Sequence, residues 1–268
     1  MAGLAISALS GRAAPRQHRP VTHLLPLALL VAGTFLAGGL VKGVIGLGLP
    51  TIAMGMLGLA MPPAKAAVLL LVPSLVTNVW QVLAGRHLRS VLRRLWPMML
   101  GIVAGSLPGS GVIAGASVHT ATAALGAALI LYGMVGVAMP RLRVPQRMER
   151  WAAPLIGAAT GLVSGATGVA MIPAVPFLGS LGLQRDELVQ ALGLSFTVST
   201  LALAAGLALH GALPLSATGA SLLAVLPALA GMGLGGLLRA RVRPEIFRRC
   251  FFAGLLALGA ELLWRGVA

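Results

Sequence analysis

The sequence predicts an all-α membrane protein, a polytopic transmembrane helical bundle of about eight apolar segments in two repeats. Hydrophobic residues make up 58% of the 268-residue chain and charged residues only 9%, whereas a soluble domain carries about 25% charged residues. Apolar stretches that approach or exceed the roughly 20 residues a helix needs to cross a bilayer recur along the chain. The alternating segments of about ten residues that are typical of membrane β-barrels do not occur.

The apolar segments alternate with polar or basic connections. They cover residues 24–60, 66–84, 95–115, 119–139, 152–182, 188–209, 215–238 and 250–264. Residues 1–23 contain the basic residues Arg12, Arg16 and Arg19, and we expect this segment to form a disordered basic leader ahead of an uncleaved first span.

Two of these segments are too long for one membrane helix. Residues 24–60 would form a helix of about 55 Å, nearly twice the thickness of the hydrocarbon core. The middle of this segment is rich in glycine and contains Pro50, and residues 152–182 repeat the pattern. Glycine and proline at this density break helices. We therefore expect a broken or re-entrant helix in each segment.

The two long segments also resemble each other, and the likeness continues along the chain. The matching blocks are Gly39–Gly46 with Gly161–Gly168, then Leu57–Leu59 with Leu181–Leu183, and then Pro97, Gly101 and Gly105 with Pro227, Gly231 and Gly235. Three blocks in the same order favour a duplication over chance similarity of glycine-rich sequence. We divide the chain into the leader, a first repeat at 24–139, a charged linker at 140–151 and a second repeat at 152–266.

The net charge of +15 comes mainly from arginines in short connections. They are Arg86, Arg89, Arg93, Arg94, Arg141, Arg143, Arg147, Arg150, Arg239, Arg241, Arg243, Arg248 and Arg249. This placement follows the positive-inside rule for cytoplasmic loops, so we predict no nucleic-acid partner. The basic and uncharged connections exchange places between the repeats, which predicts that the two halves are inverted in the membrane. Inverted repeats with discontinuous helices are typical of secondary transporters.

The residue pattern does not indicate an enzyme or a cofactor-binding protein. The five acidic residues form no pair within a span, and the histidines lack metal-ligand spacing. Cys250 is the single cysteine. The run Gly43-x-x-Gly46-x-Gly48 does not follow a strand, as a nucleotide-binding loop would. We predict no enzyme activity, no catalytic residues, no metal site and no cofactor.

The two breaks are the candidate substrate site. A helix broken inside a membrane exposes backbone N–H groups that favour anions, and Lys42 adds an intramembrane charge that is costly and usually functional. The candidate residues are Lys42, Gly43, Gly46, Gly48, Asn78, Ser164, Gly165, Thr167, Gly168 and Thr197. The alternatives are that the glycines only allow close helix packing, that Lys42 snorkels to an interface, and that the polar side chains bond between helices.

The motifs at the breaks resemble a known family. Gly39-Leu-Val-Lys-Gly-Val-Ile-Gly-Leu-Gly-Leu-Pro50 and its echo Gly161-Leu-Val-Ser-Gly-Ala-Thr-Gly-Val-Ala-Met-Ile-Pro173 are similar to the TauE/SafE family of membrane transporters, with likeness over residues 24–266. The resemblance implies export of sulfite, organosulfonates or related sulfur-containing anions across the bacterial inner membrane.

These observations together predict a multi-pass secondary transporter that moves a small anion by alternating access between two inverted halves. Its partners would be the small anionic substrate and the lipid bilayer. Since the chain contains no ATP-binding loop, an ion or substrate gradient would drive it. Two alternatives from other classes stay open: a membrane-embedded protein that processes lipids or head groups, and a scaffold or sensor that does not transport.

Overall fold

The computed structural model describes residues 24–138, 144–213, 218–239 and 241–268. These ranges contain helices and no strands, so the all-α prediction is confirmed for them. The predicted leader and residues 140–143 of the predicted linker lie outside the described residues. The helices are α1 (Leu24–Ile45), α2 (Leu49–Gly58), α3 (Pro63–Leu83), α4 (Leu88–Gly115), α5 (Val118–Ala138), α6 (Gln146–Thr167), α7 (Ala174–Ser180), α8 (Arg185–Leu209), α9 (Thr218–Leu223), α10 (Val225–Leu238) and α11 (Pro244–Val267).

Seven helical stretches among the described residues are long and apolar enough to cross a membrane. They are α1, α3, α4, α5, α8, α11 and the combined run of α9 and α10. Many large apolar side chains on these helices are exposed, such as Leu29 at 64% and Leu100 at 60%. Exposed apolar side chains on long helices are suited to lipid rather than water, and the polytopic bundle is therefore confirmed.

Both overlong segments are broken at glycines, as the sequence predicts. In the first segment α1 ends at Ile45, and Gly46 and Gly48 have φ angles of 82° and 111° before α2 begins. A Cβ at Gly38 would lie 3.3 Å from the carbonyl oxygen of Leu49, which means that α2 folds back along α1. In the second segment Gly168, with φ 74°, closes α6 before α7 begins.

Glycines hold the helices before the two breaks against helices of the other half. A Cβ at Gly105 of α4 would collide with the carbonyl oxygen of Ala158 in α6. On the other side of the molecule, a Cβ at Gly231 of α10 would collide with the carbonyl oxygen of Leu36 in α1. Small residues at such crossings allow backbones to touch, and packing of this kind supports helix association in lipid.

The same contacts refine the correspondence between the halves. In the predicted duplication, Leu36 and Ala158 are at equivalent positions when the two breaks are aligned. The residues that they contact, Gly231 and Gly105, are then the predicted counterparts. The sequence alignment instead matches Gly231 with Gly101, one helical turn away. The inverted duplication itself stays a prediction, and the helix contacts favour the alignment of Gly231 with Gly105.

One end of the molecule gathers the arginine-rich connections. Arg94 donates from Nε and from a terminal guanidinium nitrogen to the two carboxylate oxygens of Glu149, both at 2.7 Å, and also to the carbonyl of Leu181 at 3.2 Å. These bonds join the N-terminal parts of α4 and α6 to the connection before α8. We call this end the basic face. At the opposite face, Arg265 donates to the carbonyl of Leu59 at 3.2 Å.

Candidate substrate site

A cavity of about 620 Å³ lies at the basic face between α1, α3, α8 and α10. We call it the vestibule. Its inner end is formed by the last turn of α1 and the first break, and its outer part by residues next to the arginine-rich connections. The lining includes Lys42, Gly43, Gly46, Gln81, Arg86, His87, Asp186 and Arg239.

The charges along the vestibule favour anions. Lys42, Arg86 and Arg239 line it together with a single carboxylate among the described lining residues, that of Asp186. A cleft lined by one sign of charge with low-dielectric walls concentrates ions of the other sign. The vestibule is therefore electrostatically suited to collect small anions from the basic face.

Lys42 lies at the inner end of the vestibule and is only 3% exposed. Its amino group donates to the Thr77 hydroxyl at 3.1 Å and to the side-chain oxygen of Asn78, both on α3. The alternative that Lys42 snorkels to an interface is therefore wrong, since its amino group is bound inside the bundle. A buried amino group with such partners and a cavity beside it is the arrangement expected of an intramembrane ion site.

Polar side chains continue from Lys42 towards the middle of the bundle. Asn78 donates to the Ser74 hydroxyl at 3.1 Å, and Ser74 shares a hydrogen bond of 3.3 Å with Thr200 on α8. Ser74 and Thr200 line a second, very small pocket of about 10 Å³, which is room for about one water molecule. We call it the central pocket.

The central pocket lies between the two breaks. Pro50, just after the first break, and Gly168, at the second, both line it, as does Ser164 of α6. Ser199 also lines it, and its hydroxyl is buried with no hydrogen-bond partner among the described residues. Buried polar atoms without partners are costly, so the central pocket offers a donor that a guest in the pocket could use.

Two glutamines position the first break against α8. Gln81 donates to the carbonyls of Gly46, at 3.1 Å, and Val189, at 2.7 Å. Gln190 donates to the carbonyl of Val82 at 2.6 Å and accepts from the backbone of His87 at 2.8 Å. Neither glutamine is among the candidate residues predicted from the sequence, although a glutamine inside an apolar segment was an available signal.

The backbone N–H groups at the two glycine breaks are hydrogen-bonded, whereas the sequence suggested that they are free. The N–H of Gly46 donates to the Lys42 carbonyl at 2.7 Å, and that of Gly168 donates to the Ser164 carbonyl at 2.8 Å. Left-handed glycines close the last turn of a helix in this way, because their positive φ lets the chain turn back on the helix end. The expectation that these two glycines present free N–H groups is therefore wrong.

The remaining candidates serve other contacts. A Cβ at Gly43 would collide with the Met232 carbonyl, and one at Gly165 would lie 2.7 Å from the Ser110 nitrogen, so both glycines allow helix packing. Gly48 caps α2. Thr167 donates to the Val163 carbonyl at 2.7 Å, and Thr197 donates to the Gly193 carbonyl at 2.7 Å.

The structure therefore divides the predicted site residues into three groups. Lys42, Gly43 and Gly46 line the vestibule, where Lys42 is bound to Asn78, and Ser164 and Gly168 line the central pocket. Gly48, Gly165, Thr167 and Thr197 are absent from the described linings of both cavities.

The part of the chain that the structure describes contains no assembled metal site. No group of three or more His, Cys, Asp and Glu side chains there is placed to hold a metal ion.

Comparison with known proteins gives one match. The family described as Sulfite exporter TauE/SafE matches residues 29–262. This range includes both breaks, the vestibule and the central pocket. Neither the curated proteins nor the solved structures gave a significant match.

Proposed function

We propose, from the premise that the chain belongs to the sulfite exporter TauE/SafE family, that it is a secondary transporter moving a small anion by alternating access. The family implies a membrane transporter of sulfur compounds, and seven candidate spans support a multi-pass membrane protein. A transporter family is consistent with the expectation of no enzyme activity. The finer proposal is that the substrate is sulfite, an organosulfonate or a related sulfur anion.

The observation that carries this proposal is the buried amino group of Lys42 at the end of a positively lined vestibule. Arg86 and Arg239 attract an anion at the mouth. Further in, the anion loses water molecules, and the amino group of Lys42 takes their place as a hydrogen-bond donor. This lowers the free-energy cost of moving the charge into the bundle. The polar chain through Asn78 and Ser74 then leads towards the central pocket.

A difference between two helix pairs supports alternating access. Between α3 and α10 lies the open vestibule, but α4 and α8 are closed against each other. A Cβ at Gly206 of α8 would collide with the Ser110 side chain of α4, and one at Gly111 would lie 3.1 Å from Nε2 of His210. In the predicted repeat α8 corresponds to α3 and α4 to α10. Exchange of the open and closed arrangements between these pairs would move the access from one face to the other.

The orientation follows from the charges. The positive-inside rule assigns the basic face to the cytoplasm of a bacterial inner membrane, so the vestibule gives cytoplasmic anions access to Lys42. Passage to the other side requires α4 and α8 to separate near Ser110 and Gly206, which lie in contact.

Counterflow in proteoliposomes tests the proposal. Vesicles containing the purified protein are loaded with one unlabelled anion, and the uptake of the labelled anion is measured for sulfite, sulfate, thiosulfate and organosulfonates. We expect saturable exchange for at least one sulfur anion, abolished when the protein is heat-inactivated before reconstitution. Uptake equal to that of empty vesicles for every anion would overturn the proposal, and binding without exchange would favour a sensor.

A further inference from the structure

A third cavity, of about 320 Å³, lies at the basic face on the other side of the first break. It is lined by residues of α5, α7, α8, α11 and the segment 44–47. We call it the side cavity. Its volume is at the lower end of the range of about 300–1,000 Å³ that small-molecule sites occupy. No step of the proposed transport route passes through it.

The side cavity combines an apolar interior with a basic edge. Val44, Leu192 and Phe252 form part of the apolar wall, while Arg185 and Arg239 contribute guanidinium groups. Arg248 and Glu245 also line it, so arginines outnumber carboxylates among the described lining residues. This distribution matches a ligand with an apolar tail and an anionic head group, since guanidinium groups pair with phosphate, sulfonate or carboxylate oxygens.

Tyr132 supplies a second, independent observation. It lines the side cavity, is only 1% exposed, and its hydroxyl has no hydrogen-bond partner among the described residues. The ring packs edge-on against Phe252 with centroids 5.3 Å apart, which holds the side chain in place. A buried tyrosine usually has a partner for its hydroxyl. A polar atom of a bound ligand would supply the partner that the Tyr132 hydroxyl lacks among the described residues.

We propose that the side cavity binds an amphipathic anion, with its apolar part against Val44, Leu192 and Phe252 and its head group on Arg185 and Arg239. The ligand is either an anionic membrane lipid or a soluble alkyl sulfonate, and both present the same chemistry. Arg239 lines the vestibule as well as the side cavity. A ligand in the side cavity therefore competes with the transported anion for the guanidinium group of Arg239. This consequence rests on the proposed function.

Two glycines provide a matched pair of variants. Gly179 lines the side cavity, and a Cβ there would meet nothing within 4 Å. The side chain of Gly179→Leu therefore starts in open space and should occupy part of the cavity. Gly254 of α11 also has nothing within 4 Å of a Cβ and is absent from the side-cavity lining. Gly254→Leu is therefore the control for adding a leucine to an exposed helix position. Arg185→Gln tests the head group.

Binding is measured with two probes. Purified protein is titrated with hexanesulfonate, and with hexanol as the uncharged analogue; in a second arm it is placed in nanodiscs of mixed phosphatidylglycerol and phosphatidylcholine, and the lipid retained after detergent exchange is quantified. We expect wild type and Gly254→Leu to bind hexanesulfonate or to retain phosphatidylglycerol selectively. Gly179→Leu and Arg185→Gln should lose at least about tenfold of that affinity or enrichment.

The two arms identify the source of the ligand. Phosphatidylglycerol enrichment without hexanesulfonate binding assigns a membrane lipid, and the reverse assigns a soluble amphiphile. Binding of neither probe, or equal binding by Gly179→Leu and wild type, would overturn the proposal. Because neither arm measures flux, a negative counterflow experiment would leave the result on the side cavity unaffected, and loss of binding would leave the transport proposal intact.

Discussion

The amino group of Lys42 lies 3.1 Å from the hydroxyl of Thr77, and this contact joins α1 to α3 at the inner end of the vestibule. Asn78 accepts a second hydrogen bond from the same amino group. A lysine ammonium has three donors. Two are bound to α3, and the third has no partner among the described residues, so a guest could accept a hydrogen bond from it. The helix that carries the amino group, α1, and the helix that orients it, α3, both lie in the predicted first repeat.

Replacement of Lys42 by alanine should lower anion exchange without preventing membrane insertion. A hydrogen bond from a charged donor contributes about 1.5–3 kcal/mol, so we expect exchange to fall by roughly 10- to 100-fold. Lys65→Ala is the matched control, because Lys65 is exposed near the start of α3 and lines neither the vestibule nor the central pocket. Equal exchange by Lys42→Ala and wild type would show that the amino group does not contact the substrate.

A leucine at Gly236 should obstruct the vestibule. Gly236 lines the vestibule, and a Cβ there meets nothing within 4 Å, so the side chain would project into open space. We expect exchange to fall at least about tenfold, while the free energy of unfolding changes by about 0.5 kcal/mol or less. Gly254→Leu again controls for the added leucine. Normal exchange by Gly236→Leu would mean that anions take another route.

Cysteine labelling should report the side on which the vestibule opens. Cys250, the single cysteine, is exposed, so Cys250→Ser gives a background without thiols. In that background, Gly233→Cys in the vestibule should react with an impermeant thiol reagent from the cytoplasmic side. Gly115→Cys should react from the other side, because it lies at the far end of α4 from Arg94 and the basic face. Both glycines have free space for a Cβ. Reactivity of Gly233→Cys from the outside would reverse the assigned orientation.

The crossing of α4 and α6 should be sensitive to a single methyl group. At Gly105 a Cβ would collide with the Ala158 carbonyl, and overpacking of this kind costs about 1–3 kcal/mol. We expect Gly105→Ala to lower the thermal midpoint of the purified protein. Gly33→Ala, where a Cβ meets nothing within 4 Å, should leave the midpoint unchanged or raise it slightly, because alanine favours the helix. Similar midpoints for both variants would contradict the packing role of Gly105.

The ion pair between Arg94 and Glu149 should contribute more to stability than the pair between Arg265 and Glu261. Both carboxylate oxygens of Glu149 are bound, and its side chain is 9% exposed. The side chains of Arg265 and Glu261 are 52% and 48% exposed. A double-mutant cycle with glutamine substitutions should give about 1–3 kcal/mol of coupling at the first pair and about 0.3–0.5 kcal/mol at the second. Equal coupling energies at the two pairs would contradict the role of Glu149 in stabilising the basic face.

Much of the fold could be predicted because its determinants are local. Apolar length specifies a membrane helix wherever it occurs, so the eight apolar segments correspond to described helices. The breaks were also accessible, since Gly46 and Gly168 adopt positive φ angles that other residues rarely adopt. Lys42 was identified from the cost of a charge in an apolar segment.

The details of the site depended on backbone geometry and helix rotation, which residue types alone do not specify. Gly46 and Gly168 are the same residue types whether their amides are free or bonded, and only the turn geometry decided that they are bonded. Thr197 and Ser199 lie on the same helix, yet only Ser199 faces the central pocket. Helix rotation is set by packing against neighbours, which a single sequence does not specify.

The sequence by itself determined that this chain enters a membrane, where its two glycine breaks fall, and which charge lies inside, because length, backbone freedom and desolvation act on each segment alone. Only the tertiary structure decided that α10 stands away from α3 to form the vestibule while α8 closes on α4. The two arrangements differ in how far helices with the same local character lie apart. That distance depends on contacts summed over whole helix pairs, and no local pattern encodes it.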